Sequence, residues 1–237
     1  MSLFPRVSSL LVIGGLAAAV SAVSAQAAST LPPPYDELVR VQSRRLDMVF
    51  LLPGADFRPY TKVMIDPVQV SFRSDWQSST SRGARGAPRR ISDADAEQIS
   101  QAARTGFEEI FAAAFKRKGY EVVTSPGPNV LRLTPAVVNL FINAPQPTTP
   151  GMRSYVVQAG EATLTLEARD SLSGAILGVA IDRSSTRNLG GVNLASGPSN
   201  RLDFGDLFRS WADISVRGLE QLRAAPPVKS TQAGSKQ

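Results

Sequence analysis

The sequence predicts an α+β protein, a two-layer sandwich in which two long amphipathic helices pack on one face of a mainly antiparallel sheet. Several short segments alternate apolar and polar side chains, as half-buried strands do. Two longer segments place apolar side chains at three- and four-residue spacing, as amphipathic helices do. Such strands and helices bury each other's apolar sides when both helices cover the same face of the sheet.

The first strands are predicted before residue 73. Residues 47–52 form a short apolar run that ends at the turn signal Pro53-Gly54. Residues 60–72 are the next strand, and the second half of this segment alternates cleanly between apolar and polar side chains. Asp66-Pro67 interrupts it, which predicts an edge position or a bulge at that point.

A long helix is predicted after a polar loop. Ser92 fits the N-cap, and Asp95 fits the third helical position of a capping box. Gly119 follows a cationic last turn and fits the C-terminal end of the helix. The apolar stripe of this helix consists of Ile99, Ala103, Phe107, Ile110, Phe111, Ala114 and Phe115.

Four strands and a second helix are predicted in the rest of the chain. Residues 120–124 and 130–142 read as strands separated by a Pro-Gly-Pro turn. Residues 161–169 and 175–182 follow as an antiparallel hairpin, which completes a four-stranded meander. Asp203 is predicted to cap the last helix, whose apolar stripe consists of Phe204, Leu207, Phe208, Trp211, Ile214, Leu219 and Leu222.

The chain is predicted to consist of four segments. Residues 1–27 have the charged start, apolar middle and small-residue end of a signal peptide, cleaved after Ala27 or alternatively after Ala25. Residues 28–45 are predicted to be a flexible linker, 46–223 a single α+β domain and 224–237 a disordered tail. We therefore expect an exported, periplasmic protein with no transmembrane segment in the mature chain.

The composition excludes several kinds of active site. The 237 residues contain no histidine and no cysteine. Nucleophile pairs that need histidine, and zinc sites built on imidazole or thiolate, are therefore impossible. The sequence also has neither a Walker loop nor a nucleophile elbow. We expect no catalytic residue, no metal site and no cofactor.

Carboxylates are the remaining candidates for enzyme chemistry. Asp66 lies within an apolar strand, although an aspartate before proline is usually a turn or bulge residue. Glu161 and Glu167 share a strand face but are roughly 20 Å apart at ~3.3 Å per residue, too far to share a glycosidic bond. Asp66 or Asp75 within about 5–9 Å of a second carboxylate would favour a hydrolase or lyase acting on an envelope polymer.

Residues near both ends of the predicted domain resemble a known family. The residues that carry the resemblance are Pro53-Gly54-Ala55-Asp56-Phe57, Tyr60, residues 63–68, Trp76, the strand pair 161–182 and Trp211-Ala212. They resemble a family of exported bacterial proteins known as domain of unknown function 3313, over about residues 46–223. The resemblance implies an envelope location but no activity, ligand or catalytic residue. Many members look like lipoproteins, whereas this chain has no cysteine to acylate.

The candidate partner-binding residues lie in a predicted polar loop over residues 73–90. They are Trp76, Arg82, Arg85, Arg89 and Arg90. Clustered arginines can contact anionic lipid headgroups, phosphates or acidic polymers, although a solvated loop without a ligand has the same composition. A tryptophan can anchor a partner or pack in the core. Export makes nucleic acid an unexpected partner.

The sequence thus favours a periplasmic, non-enzymatic binding or assembly module of the bacterial cell envelope. Its partner would be another envelope protein or an anionic envelope surface, bound through the loops 73–90 and 187–201. A carboxylate-based hydrolase or lyase acting on an envelope polymer is the alternative. A carrier with an apolar cavity between sheet and helices is a third hypothesis.

Overall fold

A computed structural model of the protein describes residues 34–77, 92–142, 155–156, 160–185, 193–194 and 197–229. The elements in these ranges are β1 (Val39–Val41), β2 (Met48–Leu51), β3 (Lys62–Ile65), β4 (Gln69–Phe72), α1 (Asp93–Arg117), β5 (Glu121–Val123), β6 (Val130–Ile142), β7 (Tyr155–Val156), β8 (Gly160–Asp170), β9 (Ile176–Ser185), β10 (Asn193–Leu194) and α2 (Gly197–Ala224). The predicted α+β class is confirmed. No helix in the described part of the chain is long and apolar enough to cross a membrane.

The main sheet is mixed, so the prediction of a mainly antiparallel sheet is corrected. Its order is β1-β2-β9-β8-β6-β3-β5, with β4 also paired to β6. From β1 to β6 in this order, each strand is antiparallel to the next one. Strand β3 lies between β6 and β5 and is parallel to both. Strand β4 is parallel to β6 as well. Strands β7 and β10 form a separate antiparallel pair.

The predicted meander is therefore only half right. The hairpin of β8 and β9 is confirmed. Strands β5 and β6 do not pair with each other, because β3 separates them. The sequence predicts a Pro-Gly-Pro turn between them, and composition does not show the direction in which the chain leaves that turn. Because β5 has only three residues, the connection 124–129 can return across the end of β3 to start β6 in the parallel direction.

The predicted interruption at Asp66-Pro67 separates β3 from β4. The backbone N–H of Asp66 still bonds to Leu133 O at 2.9 Å, so the pairing with β6 continues up to the break. After the proline, the N–H of Val68 donates to Glu108 Oε1 of α1 at 3.1 Å. The break is confirmed. Strand β5 pairs with β3 only as far as Met64, and among the described strands β4 pairs with β6 alone, so the chain at Asp66-Pro67 has a strand on one side, as an edge position requires.

Both helices share one apolar core with the sheet. The rings of Phe107 on α1 and Phe208 on α2 meet edge to face, with centroids 5.3 Å apart. Side chains of β6 and β8, among them Val137 and Leu164, belong to the same buried cluster. Burial of large apolar side chains is the main stabilising contribution to such a domain.

The two helices begin differently from each other. Ser92 and Asp95 form the predicted capping box of α1, and Gly119 follows its end with φ +84°, a conformation that favours glycine. Helix α2 begins at Gly197, so the predicted cap at Asp203 is wrong. Proline is well tolerated in a first helical turn, which lets Pro198 stand there.

Both predicted unstructured segments contain ordered residues. Strand β1 falls inside the predicted linker 28–45, and Leu38 before it is buried against Phe50 and Val179. In the predicted tail 224–237, the backbone N–H of Val228 bonds to Ala55 O at 3.0 Å, and Gly54 N–H bonds to Val228 O at 2.7 Å. Pairing with β2 holds β1 in place, and the two backbone hydrogen bonds to Gly54 and Ala55 hold Val228. Local composition predicts neither interaction.

Candidate functional site

The five predicted partner-binding residues divide between a described and an undescribed part of the chain. Arg82, Arg85, Arg89 and Arg90 lie outside the described residues. Trp76 is 1% exposed and stacks on Phe72 with ring centroids 4.1 Å apart. Its Nε1 donates to Ile142 O at 3.1 Å. Trp76 therefore packs in the core, which is the alternative to its role as an exposed anchor for a partner.

A polar cavity of about 250 Å³ lies at the end of the sheet where Trp76 packs. We call it the arginine pocket; its lining residues are Arg73, Asn139, Glu161, Ala162, Thr163 and Arg183. Three strands and the segment after β4 contribute to it. The candidate loop 73–90 begins with one of its residues, Arg73, so the pocket adjoins the predicted binding loop.

The register of the sheet brings these residues together. Thr163 on β8 lies directly opposite Arg183 on β9, and Glu161 lies opposite Phe141 on β6. The pairing of β6 with β8 shifts between Val138 and Phe141, where Asn139 has φ +54°. Such bulges re-aim side chains at sheet ends, and this one places exposed Asn139 at the pocket.

Glu161 links the two arginines of the pocket. Its Oε1 accepts from Arg73 Nη1 at 2.7 Å, and its Oε2 accepts from Arg183 Nη2 at 3.0 Å. Arg73 also donates from Nε and Nη2 to Asp75, and its guanidinium lies 3.8 Å from the centroid of the Phe141 ring. These contacts fix the side chain of Arg73. The hydrogen bond to Asp75 raises the pKa of Arg73 above its ordinary value.

Arg183 is the accessible cation of the pocket. Its side chain is 68% exposed, against 18% for Glu161. Among the described residues, its guanidinium donates a single hydrogen bond, the one to Glu161. An arginine has five N–H donors in a planar fork that matches carboxylate or phosphate. Within the described residues, most of this donor capacity is unused.

The pocket also brings two carboxylates together. Asp75 and Glu161 both accept hydrogen bonds from the guanidinium of Arg73, so Asp75 does stand beside a second carboxylate. The guanidinium of Arg73 lies between the two carboxylates, and Glu161 also accepts from Arg183, so both carboxylates already hold a cation in place. This geometry suits binding better than acid–base catalysis.

A second charged group lies on the side of the sheet that faces away from the core, which we call the outer face. Asp66 is buried, and both its oxygens accept from Arg132 Nε, at 3.0 and 2.8 Å. Thr134 Oγ1 donates to Asp66 Oδ2 at 2.6 Å. Asp66 is thus a satisfied structural carboxylate, as expected for a residue at a strand break.

Arg169 repeats this arrangement one strand away. Its Nε donates to the buried Glu167. Tyr35 also forms a hydrogen bond with Glu167, and the pKa of Tyr35 is raised, mainly by burial and secondarily by this bond. Arg132 and Arg169 lie directly opposite each other in the register of β6 and β8. We call these two residues the arginine pair.

The sequence indicated the outer face but not its charges. The alternation along β8 predicted that Glu161 and Glu167 share a solvent face, yet Glu167 is buried. Arg183 and Arg132 carried no local signal, because their partners are set by strand register. In the described ranges no group of three or more aspartate or glutamate residues is placed to hold a metal ion.

The comparisons with known proteins establish the family. A model described as protein of unknown function (DUF3313) matches residues 26–214. The chain therefore belongs to this family, as its resemblance predicted. No curated protein matches the chain.

Solved structures show only distant similarity. A PelC dodecamer from Paraburkholderia phytofirmans is 11% identical, with a TM-score of 0.33, covering 70% of this chain and 96% of that one. A protein from Helicobacter pylori, described as a neuraminyllactose-binding hemagglutinin homolog, is 10% identical with a TM-score of 0.31, covering 73% of this chain and 91% of that one.

Proposed function

We propose that this chain is a periplasmic, non-enzymatic binding module of the bacterial cell envelope, and that it binds an anionic envelope component at the arginine pocket. The observation that carries the proposal is the exposed guanidinium of Arg183, oriented by Glu161 at the mouth of a polar cavity. Asn139 and Thr163 line the same cavity and add hydrogen-bonding groups. A concave site with a few convergent polar groups is typical of ligand recognition.

Charge and location support the same proposal. The full chain has a formal net charge of +6, which attracts an anionic partner over distances up to about the Debye length. Residues 1–27 have the features of a signal peptide, so the partner would be an envelope component. The sequence from 82 to 90 contains four further arginines, Arg82, Arg85, Arg89 and Arg90, which add to this positive charge.

Photocrosslinking in intact cells tests the proposal. A photoreactive residue replaces Thr163 in the pocket wall, and the matched control replaces Thr105, which is exposed on α1. We expect a specific adduct from position 163 that disappears with Arg183→Ser. Equal adducts from both positions, or none from 163, would remove the pocket from the binding surface.

A carboxylate-based hydrolase or lyase is the second candidate, because Asp75 and Glu161 lie on one guanidinium. The two proposals differ in their response to Glu161→Gln. A catalytic carboxylate loses its function when it becomes an amide, whereas the amide oxygen can still accept from Arg183. Release of reducing ends or unsaturated sugars from an acidic polymer, abolished by Glu161→Gln, would establish the enzyme instead.

A further inference from the structure

The outer face of β8 carries charged groups at both ends. We call the side chains Glu161, Thr163, Thr165, Glu167 and Arg169 the polar strip. The arginine pocket stands at the first end, and the arginine pair stands at the other. Glu161 and Arg169 are eight residues apart, so the strip is roughly 26 Å long at ~3.3 Å per residue. A ligand that reaches both ends must be an extended molecule.

The remainder of the outer face is covered by the chain itself. Tyr35 and Leu38 pack with Phe50, Val179 and their apolar neighbours on β2 and β9. Thr163 and Thr165 in the middle of the strip stay partly exposed. The N-terminal segment thus closes the apolar part of the face and also contacts the strip at buried Glu167, where Tyr35 forms a hydrogen bond. Thr134 on β6 stays partly exposed as well.

The arginine pair has donors left over for a ligand. Arg132 and Arg169 are held at Nε by buried Asp66 and Glu167, and their side chains remain 42% and 30% exposed. Arg169 also donates from Nη1 to Gly174 O at 2.9 Å, so its remaining donor group is Nη2. Opposed residues of antiparallel strands have Cβ atoms about 5 Å apart, where two like charges repel. Anchoring at Nε relieves this repulsion and fixes both guanidinium groups, and an anion between their η nitrogens would bridge them.

From these relationships we infer that the polar strip binds a linear polymer with repeated anionic groups, which reaches from the arginine pocket to the arginine pair. This inference rests on the proposed function and names its ligand class. The arginine pocket and the arginine pair are fixed on one sheet. A ligand with several anionic groups on one chain can bind both, and once it is bound at one site its binding at the other is intramolecular, which raises the overall affinity. The positive net charge of the protein matches such a polymer.

The test compares long and short ligands of one chemistry on the purified exported protein. The probes are polygalacturonate and trigalacturonate for carboxylates, polyphosphate and triphosphate for phosphates, and dextran as the neutral control. We expect one long polyanion to bind at least on the order of tenfold more tightly than its short fragment, per anionic group. Its chemistry then distinguishes carboxylate from phosphate polymers. Equal affinity of long and short probes, or equal binding of dextran, overturns the inference.

Variants at the two ends separate the contributions. Arg132→Gln should remove the advantage of the long polymer and leave the short fragment unchanged, and the unchanged fragment binding also shows that the variant is folded. Arg183→Ala should weaken both probes. Arg104→Ala on α1 is the control and should change neither. Loss of short and long binding together in Arg132→Gln, with an unchanged melting temperature, would contradict two separate sites.

The inference and the proposed function can fail separately. A specific protein adduct at position 163, with no polymer binding, leaves a binding module at the pocket and overturns the polymer. Absence of both an adduct and polymer binding overturns both proposals.

Discussion

Trp211 of α2 donates a hydrogen bond from Nε1 to Asp182 Oδ2 of β9 at 2.8 Å, and both residues are buried. The same carboxylate accepts from Ser184 Oγ at 2.7 Å and from the backbone N–H of Asp47 at 3.3 Å. One buried aspartate therefore connects the last helix, the C-terminal part of β9 and the residue before β2. This connection fixes the helix layer in register with the sheet.

Asp182→Ala should destabilise the protein strongly. The substitution leaves the indole N–H of Trp211 without its acceptor inside the core, which costs about 1–3 kcal/mol for each unsatisfied buried group. Asp182→Asn keeps an acceptor oxygen and should cost less. Urea unfolding followed by tryptophan fluorescence measures both, and exposed Asp206→Ala serves as the control. Equal losses for Asp182→Ala and Asp206→Ala would contradict the role of this bond.

Gly160 should not accept a side chain. A Cβ at this position would lie 2.4 Å from Phe141 O and 2.6 Å from the ring of Phe204. We expect Gly160→Ala to destabilise by about 1–3 kcal/mol, as overpacking of a core does. Gly106→Ala is the matched control, since nothing lies within 4 Å of its Cβ; in a helix it should stabilise by up to about 1 kcal/mol. Opposite signs of the two changes in melting temperature are the expected result.

The pair of Tyr60 and Asp170 should make stability depend on pH at both extremes. Tyr60 Oη donates to Asp170 Oδ2 at 3.0 Å. Backbone and side-chain bonds from Ser173, followed by that of Tyr60, lower the pKa of Asp170 despite partial burial. Its stabilising contribution is present above the unfolded pKa and is lost as the pH falls through the folded one. Burial, followed by Asp170, raises the pKa of Tyr60, so its contribution is lost as the pH rises above about 10, the unfolded value.

Unfolding free energies measured from acid to alkaline pH check this pair. Asp170→Asn should flatten the acid limb, and Tyr60→Phe should flatten the alkaline limb. Asp36, which is exposed, provides the control substitution Asp36→Asn. Unchanged limbs in Asp170→Asn and Tyr60→Phe would show that other groups set the pH dependence.

Val228 should be required for the attachment of the chain after α2. Val228→Pro removes the N–H that bonds to Ala55 O and should cost about 1 kcal/mol, the usual net value of a hydrogen bond, or more if the clamp opens. Val228→Ala keeps both backbone bonds and loses only side-chain packing. Hydrogen exchange at Gly54, whose N–H bonds to Val228 O, should accelerate in the proline variant alone.

The sequence predicted the elements that depend on local chemistry. The capping box of Ser92 and Asp95 and the hairpin of β8 and β9 follow from side-chain types at fixed spacing, and both are present. The insertion of β3 between β5 and β6 did not follow, because alternation shows which face of a strand is apolar and not which strand it pairs with. Tertiary pairing also ordered β1 and Val228, which composition alone predicts to be unstructured.

The site was less predictable than the fold. Arg73, Glu161 and Arg183 are far apart in sequence and meet only through register and the bulge at Asn139. The alternation along β8 predicts Glu161 only as one residue of a solvent face, because a solvent face and a binding strip have the same alternating pattern. The arginines of the pocket and of the arginine pair are each balanced by carboxylates and are dispersed in the sequence, so a search for runs of like charge does not find either site.

The position of β3 has a consequence for how the chain folds. Strand β2 pairs locally with β1, but the other partners of β2, and all described partners of β3 and β4, are the later strands β5, β6 and β9, so these pairings do not form by local contact. Folding rates fall as contacts become more distant in sequence, because loop closure precedes pairing. The β8–β9 hairpin can form early, whereas the first apolar strands wait with unpaired backbone groups until β6 and β9 are available. During synthesis and folding, the segment from β2 to β4 is therefore the part of the described sheet most exposed to misassociation.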